Sequence, residues 1–143
     1  MGVILVILAG LIFMLYSSYF IRIIKGEPQG FEVEMLQALA EWIITKGAVS
    51  KGYIWAMFFL SLLGELIYFF LTLVLIRNPV MTALTVLFIA IESYHLSRID
   101  VILNRFFTGK ALLSQIFNWR VERASAILFF THSFLVVIIL IFF

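Results

Sequence analysis

The chain has 143 residues, of which 64% are hydrophobic and only 13% charged, with a net charge of +2 and a mean hydropathy of +1.17. A water-soluble domain carries about a quarter of its residues as Asp, Glu, Lys and Arg, so this composition excludes a soluble fold, and its 16 Phe exclude a disordered one. Cysteine is absent, which removes disulfides, thiolate metal sites and cysteine nucleophiles.

In chain order, residues 3–21 form the first apolar run, interrupted only by Ser17 and Ser18. At about 1.5 Å per residue, a helix of that length crosses a hydrocarbon core of roughly 30 Å. No side-chain charge precedes the run, as a signal peptide would require, so it is expected to stay in the mature chain. Residues 31–46 follow a Glu-Pro-Gln-Gly break. Phe31, Met35, Leu39 and Trp42 or Ile43 recur there at helical spacing, with Glu32, Glu34, Gln37 and Glu41 largely elsewhere. That pattern predicts an amphipathic helix at the membrane surface, which either seals the base of a bundle or docks a soluble or membrane partner. Its polar face is acidic, which argues against recognition of anionic lipid.

Residues 53–76 give a second span interrupted only by Glu65, and residues 80–103 a third carrying Glu92 and His95 near its middle. Only Arg77, Asn78 and Pro79 separate them, which forces an antiparallel hairpin; Pro79 disfavours helix at Asn78 and can itself open the next helix. Residues 108–118 contain Gly109 and the pair Leu112 and Leu113, consistent with a short helix folded back against the membrane. Residues 124–143 form the fourth span, with His132 inside it. The expected fold is therefore all-α: an integral membrane four-helix bundle, a single transmembrane domain over residues 1–143, with one interfacial amphipathic helix.

Arg22, Lys25, Lys46, Lys51, Arg98, Arg105, Lys110, Arg120 and Arg123 fall on one side of these spans, and Arg77 alone on the other. The positive-inside rule places both long loops in the cytoplasm and both termini outside, most naturally in the plasma membrane. The basic residues are scattered singly, so nucleic acid is not an expected partner.

An ionisable side chain at the bilayer centre costs about 2.5–3.5 kcal/mol on the insertion scale and usually faces the bundle interior. Glu65, Glu92, His95 and His132 are the four candidates. Helical rise puts Glu65 and Glu92 roughly 18–20 Å from the turn between their spans, and His95 and His132, counted from Arg105 and Arg120, roughly 15–18 Å deep from the cytoplasmic side. All four are expected to converge. Ser61, Gly64, Tyr68 and Thr72 flank Glu65 at three- and four-residue steps and suit helix packing. Thr85, Glu92, His95 and Ile99 share a face of the third span, and Ser125, Leu128 and His132 one of the fourth. The first span offers Gly10, Met14 and Ser17 or Ser18. At the loop ends, Arg98 is expected to pair with Glu122 and Asp100 with Arg123.

Glu92 and His95 spell Glu-x-x-His, a pair that occurs twice in di-metal bundles and only once here. With Glu65 and His132 it would supply two oxygens and two nitrogens to one divalent metal ion, such as zinc, iron or manganese. His95 and His132 could instead be axial ligands to haem. Without a fixed cofactor, the cluster suits passage of protons or cations. The resulting expectation is a homo-oligomeric channel or carrier for protons or metal cations, with Glu65 and Glu92 binding the cation and His95 and His132 accepting protons or ligating. The rival is a non-transporting membrane subunit or anchor of a larger complex, whose polar cluster is structural, metal-binding or haem-binding. No nucleophile triad, phosphate loop or dinucleotide fingerprint points to an enzyme.

Overall fold

A computed structural model describes every residue from Met1 to Phe143, and all of its regular structure is helical. Five α-helices follow in order: α1 (Gly2–Ile24), α2 (Pro28–Lys46), α3 (Ser50–Leu75), α4 (Pro79–Phe107) and α5 (Trp119–Phe142). Four segments are long and apolar enough to cross a membrane: α1, α4, α5, and α3 with α2 running into it. The helices overrun the apolar stretches, since α3 begins at Ser50 and α4 continues to Phe107.

The helix ends follow local chemistry. Asn78 is extended, and its side chain accepts hydrogen bonds from the Val80 and Met81 amides at 2.9 and 3.2 Å, with Pro79 in the first turn of α4. Asn118 caps α5 in the same way through the Arg120 amide. Between α2 and α3 the chain turns at Gly47, whose φ of 64° disfavours any residue with a Cβ. The expected short helix in residues 108–118 is reduced to one 3-10 turn at Leu113–Gln115.

The inward face of α1 is Leu5, Ala9, Ile12, Tyr16 and Tyr19. Alternating steps of four and three residues form the seam of a left-handed helix pair, and the partner here is α5. Phe13 stacks on Phe130 and Phe134, Tyr16 on Phe129, and Phe20 on Phe130. The small and polar face expected for this span is not the packed one. Met14 is 71% exposed, and a Cβ added at Gly10 would touch nothing.

Two apolar cores result. The larger, containing Leu5, Phe69, Ile76, Met81, Phe88, Phe129 and Val136, fills the end of the bundle that holds the α3–α4 turn. The smaller, around Ile54, Leu103 and Ile116, closes the loop-rich end, where Leu39, Trp42 and Ile43 of α2 pack onto it. The buried groups Glu92, His95 and Ser125 belong to neither. Outside, Phe59, Leu60, Leu63, Leu66 and Phe70 are exposed along α3, as a lipid-facing surface requires.

Helix α2 departs from a simple two-sided pattern. Glu32, expected on the polar face, is only 3% exposed, whereas Val33 and Ile44 are open. Arg123 explains the inversion: its Nε and Nη2 each donate to a Glu32 oxygen at 2.7 Å, and the Tyr19 hydroxyl donates to the same carboxylate. The expected pairing of Arg123 with Asp100 is therefore replaced by a fork-to-fork bridge to α2.

Candidate functional site

Glu92, the deepest ionisable group of α4, has every oxygen engaged. Ser125 of α5 donates to Oε1 at 2.6 Å, and Oε2 lies 3.1 Å from Nδ1 of His95. The other ring nitrogen, Nε2, stands 2.8 Å from Oε1 of Glu122 on α5. Glu122 thus takes His95 rather than the expected Arg98, whose guanidinium lies over the Tyr94 ring.

This arrangement holds a proton in more than one place. With both carboxylates ionised, the imidazole donates from both nitrogens as imidazolium; with one carboxyl protonated, the neutral ring donates to one carboxylate and accepts from the other. The two states contain the same number of protons and the same heavy-atom positions. Glu92, His95 and Glu122 therefore form one continuous hydrogen-bonded chain.

Glu65 lies on the other side of Glu92. Its Oε1 accepts a long 3.3 Å bond from Ser61, and its Oε2 is buried with no hydrogen-bond partner in the chain. Glu65 and Glu92 line one groove of about 380 Å³ between α3 and α4. Its walls include Phe58, Phe59, Leu62, Leu66 and Phe69, while Ser93, Ser97 and Asp100 mark one edge of α4 toward the loop-rich end. A second space, about 20 Å³ and large enough for one water, touches His95 and Glu122 beside Gln115 and Asn118. This hydrogen-bonded chain therefore runs from the α3–α4 groove to the loop-rich end.

His132 is not part of this cluster. Thr85 gives its hydroxyl proton to the Met81 carbonyl at 2.6 Å, so at 2.8 Å it accepts from Nε2–H of His132. Nδ1 then accepts from the Tyr68 hydroxyl at 2.6 Å. The ring is neutral and fully bonded, with no lone pair free for a metal or for haem iron. His95 likewise has a carboxylate on each nitrogen. No group of three or more His, Asp and Glu residues is placed to hold a metal ion, so the four-residue ligand set is not assembled.

The cause is helix register. Glu92 meets Ser125, His95 meets Glu122 and Thr85 meets His132, a single antiparallel alignment of α4 with α5. Arg120 consequently lies level with Ser97, not with Arg105. His132 sits ten residues of α4 from the level of His95, about 15 Å along the axis.

Between the two polar groups runs an aromatic layer to which all four long helices contribute. The Phe88 ring lies 4.7 Å from Phe129 and 5.1 Å from Phe69, and Tyr16 stacks on Phe129 at 4.9 Å. Phe88 and Phe129 are each 2% exposed.

No family model, curated protein or solved structure matches this chain. The site is thus read from its own geometry.

Of the packing stripe on α3, Tyr68 and Thr72 are buried, whereas Ser61 is exposed and a Cβ at Gly64 would meet nothing. Two features had no reading in sequence. Glu122 as the partner of His95 depends on the α4–α5 register. The Ser93, Ser97 and Asp100 edge was discernible as polar residues at helical steps leading toward Glu92, though each also suits a solvated helix end.

Proposed function

We propose that the protein is a membrane carrier that exchanges a cation for a proton at Glu65 and Glu92, with His95 and Glu122 carrying the proton to and from the loop-rich end. One observation carries the reading: the interior holds three carboxylates, Glu65, Glu92 and Glu122, against one titratable imidazole, His95. Arg123 is committed to Glu32, and His132 to two hydroxyls. Even with His95 charged, full ionisation leaves two negative charges inside, and a low-dielectric interior requires protons or a cation to balance them.

The aromatic layer favours a carrier over an open channel, because the rings of Phe69, Phe88 and Phe129 pack against one another between Glu92 and His132. A groove that opens past the exposed Phe59 ring and Leu66 side chain also favours assembly of several copies, which would shield it from lipid. The nine basic residues on one side support a cytoplasmic loop-rich end with α2 at the membrane surface, in the plasma membrane. A divalent metal is not the favoured cargo, since no three His, Asp or Glu side chains are grouped to hold one and both rings, His95 and His132, are hydrogen-bonded at each nitrogen.

Proteoliposomes carrying an internal pH dye test this reading. Imposing a cation gradient on wild-type protein should drive proton movement the opposite way, and Glu65→Gln, which keeps the shape and removes the charge, should abolish it. Equal fluxes in both would return Glu65 to a structural role.

A further inference from the structure

We infer that the cation held in the α3–α4 groove is an organic primary ammonium with an apolar, ring-sized body, an assignment that rests on the exchange reading above. Size is the first argument. A space of about 380 Å³ falls within the roughly 300–1,000 Å³ typical of small-molecule sites. A bare ion in it would face mainly hydrocarbon walls and gain few oxygens.

The walls supply the second. Phe58, Phe59 and Phe69 line the same space as Glu65 and Glu92. Negative charge beside aromatic rings suits a molecule that is cationic at one end and apolar at the other.

The third argument specifies the cationic end. Oε2 of Glu65 has no partner in the chain: a proton removes the charge of the empty site but leaves the carboxyl O–H without an acceptor, so the hydrogen bond is still missing. What the group lacks is a donor from outside the chain. The Ser61 bond is long, so a change of the Glu65 rotamer turns the whole carboxylate toward the groove that the residue lines, where both oxygens can accept from a bound donor. A primary ammonium has three N–H donors for it. The hydroxyls of Ser93 and Ser97 donate to backbone carbonyls one turn back at 2.7 Å, which leaves their lone pairs as further acceptors along the groove. A quaternary ammonium would satisfy the charge and leave Oε2 unbonded.

Balance is simple. Each ammonium that binds replaces the proton of the Glu65 carboxyl, which leaves to water through Glu92, His95 and Glu122, so the charge in the groove is unchanged.

Purified protein in lipid nanodiscs, titrated calorimetrically with 2-phenylethylammonium and corrected against empty nanodiscs, tests the inference. Saturable binding is expected, with about one proton released per amine, read from buffers of different ionisation enthalpy. The trimethylated analogue should bind about tenfold more weakly for want of N–H donors, and neither 2-phenylethanol nor sodium chloride should compete. Glu65→Gln should abolish binding. Phe59→Ala, at a ring 57% exposed whose loss spares the cores, should weaken it about fivefold. Absence of binding, equal affinity for the trimethylated analogue, or indifference to both variants would overturn the inference. If wild-type liposomes still exchange protons for sodium while the amine does not bind, only the ammonium assignment falls; if neither occurs, the exchange reading falls with it.

Discussion

His95 meets Glu122 at 2.8 Å across the α4–α5 interface, although the two are 27 positions apart in the chain. That contact turns an isolated Glu-x-x-His pair into a hydrogen-bonded chain with two carboxylate ends, one at the groove and one at the loop-rich mouth of the bundle.

Glu122→Gln removes the outer proton acceptor while retaining a hydrogen-bond partner for Nε2. Cation binding in the groove should persist, and the rate of exchange in proteoliposomes should fall roughly a hundredfold, the scale of a lost acid–base group. A variant that loses affinity but keeps its maximal rate would place Glu122 in binding and remove the relay.

His132 should behave differently. Replacing it with Phe leaves the Tyr68 hydroxyl without its acceptor and should lower stability by about 1–2 kcal/mol, seen as a lower melting temperature in detergent. Exchange by the folded variant should be unchanged. Abolished exchange in a protein of normal stability would show that the proton path continues beyond Phe88 and Phe129.

The Glu32 and Arg123 bridge gives stability a pH dependence. The Arg123 guanidinium holds the Glu32 carboxyl below the usual carboxylate range, against the opposing effect of burial. A lowered folded-state value means the contribution is complete above the unfolded value of about 4.3 and is lost as pH falls through the lower folded one. Glu32→Gln should therefore cost about 1.5–3 kcal/mol at neutral pH and little in strong acid, measured as thermal stability from pH 7 to pH 2. A constant difference across that range would assign the effect to packing.

The four apolar spans were legible because each is long enough to cross a bilayer and each break is marked by Pro, Gly or charge. Asn78 and Pro79 announced the α3–α4 hairpin through their own conformational limits. The relay was half legible: Glu92 and His95 are neighbours on one helix, and that spacing is local. Their partners were not, because Glu122 and Ser125 come from α5, whose register is set by the packing of residues 113–117 under the loop-rich end and not by any local pattern. Assuming Arg105 and Arg120 to be level displaced His132 toward His95. The buried Glu32 was hidden for a similar reason, since its partner Arg123 is 91 residues away.

Orientation is tested independently of transport. A cysteine at Asn78, in an otherwise cysteine-free chain, should react with an impermeant maleimide from outside intact cells, whereas one at Ser114 should react only after permeabilisation. The opposite pattern would invert the direction of the proton relay.

The central claim, a one-for-one carrier and not a pore, is tested most directly by the voltage dependence of proton flux. Liposomes held by potassium and valinomycin at zero and at −100 mV, with a monovalent cation on one side, separate the two. One-for-one exchange moves no net charge, so the account predicts equal proton fluxes at both potentials and none without the cation. A flux that grows with voltage, or that persists without any exchanging cation, would contradict it and show a proton channel open through the layer of Phe69, Phe88 and Phe129.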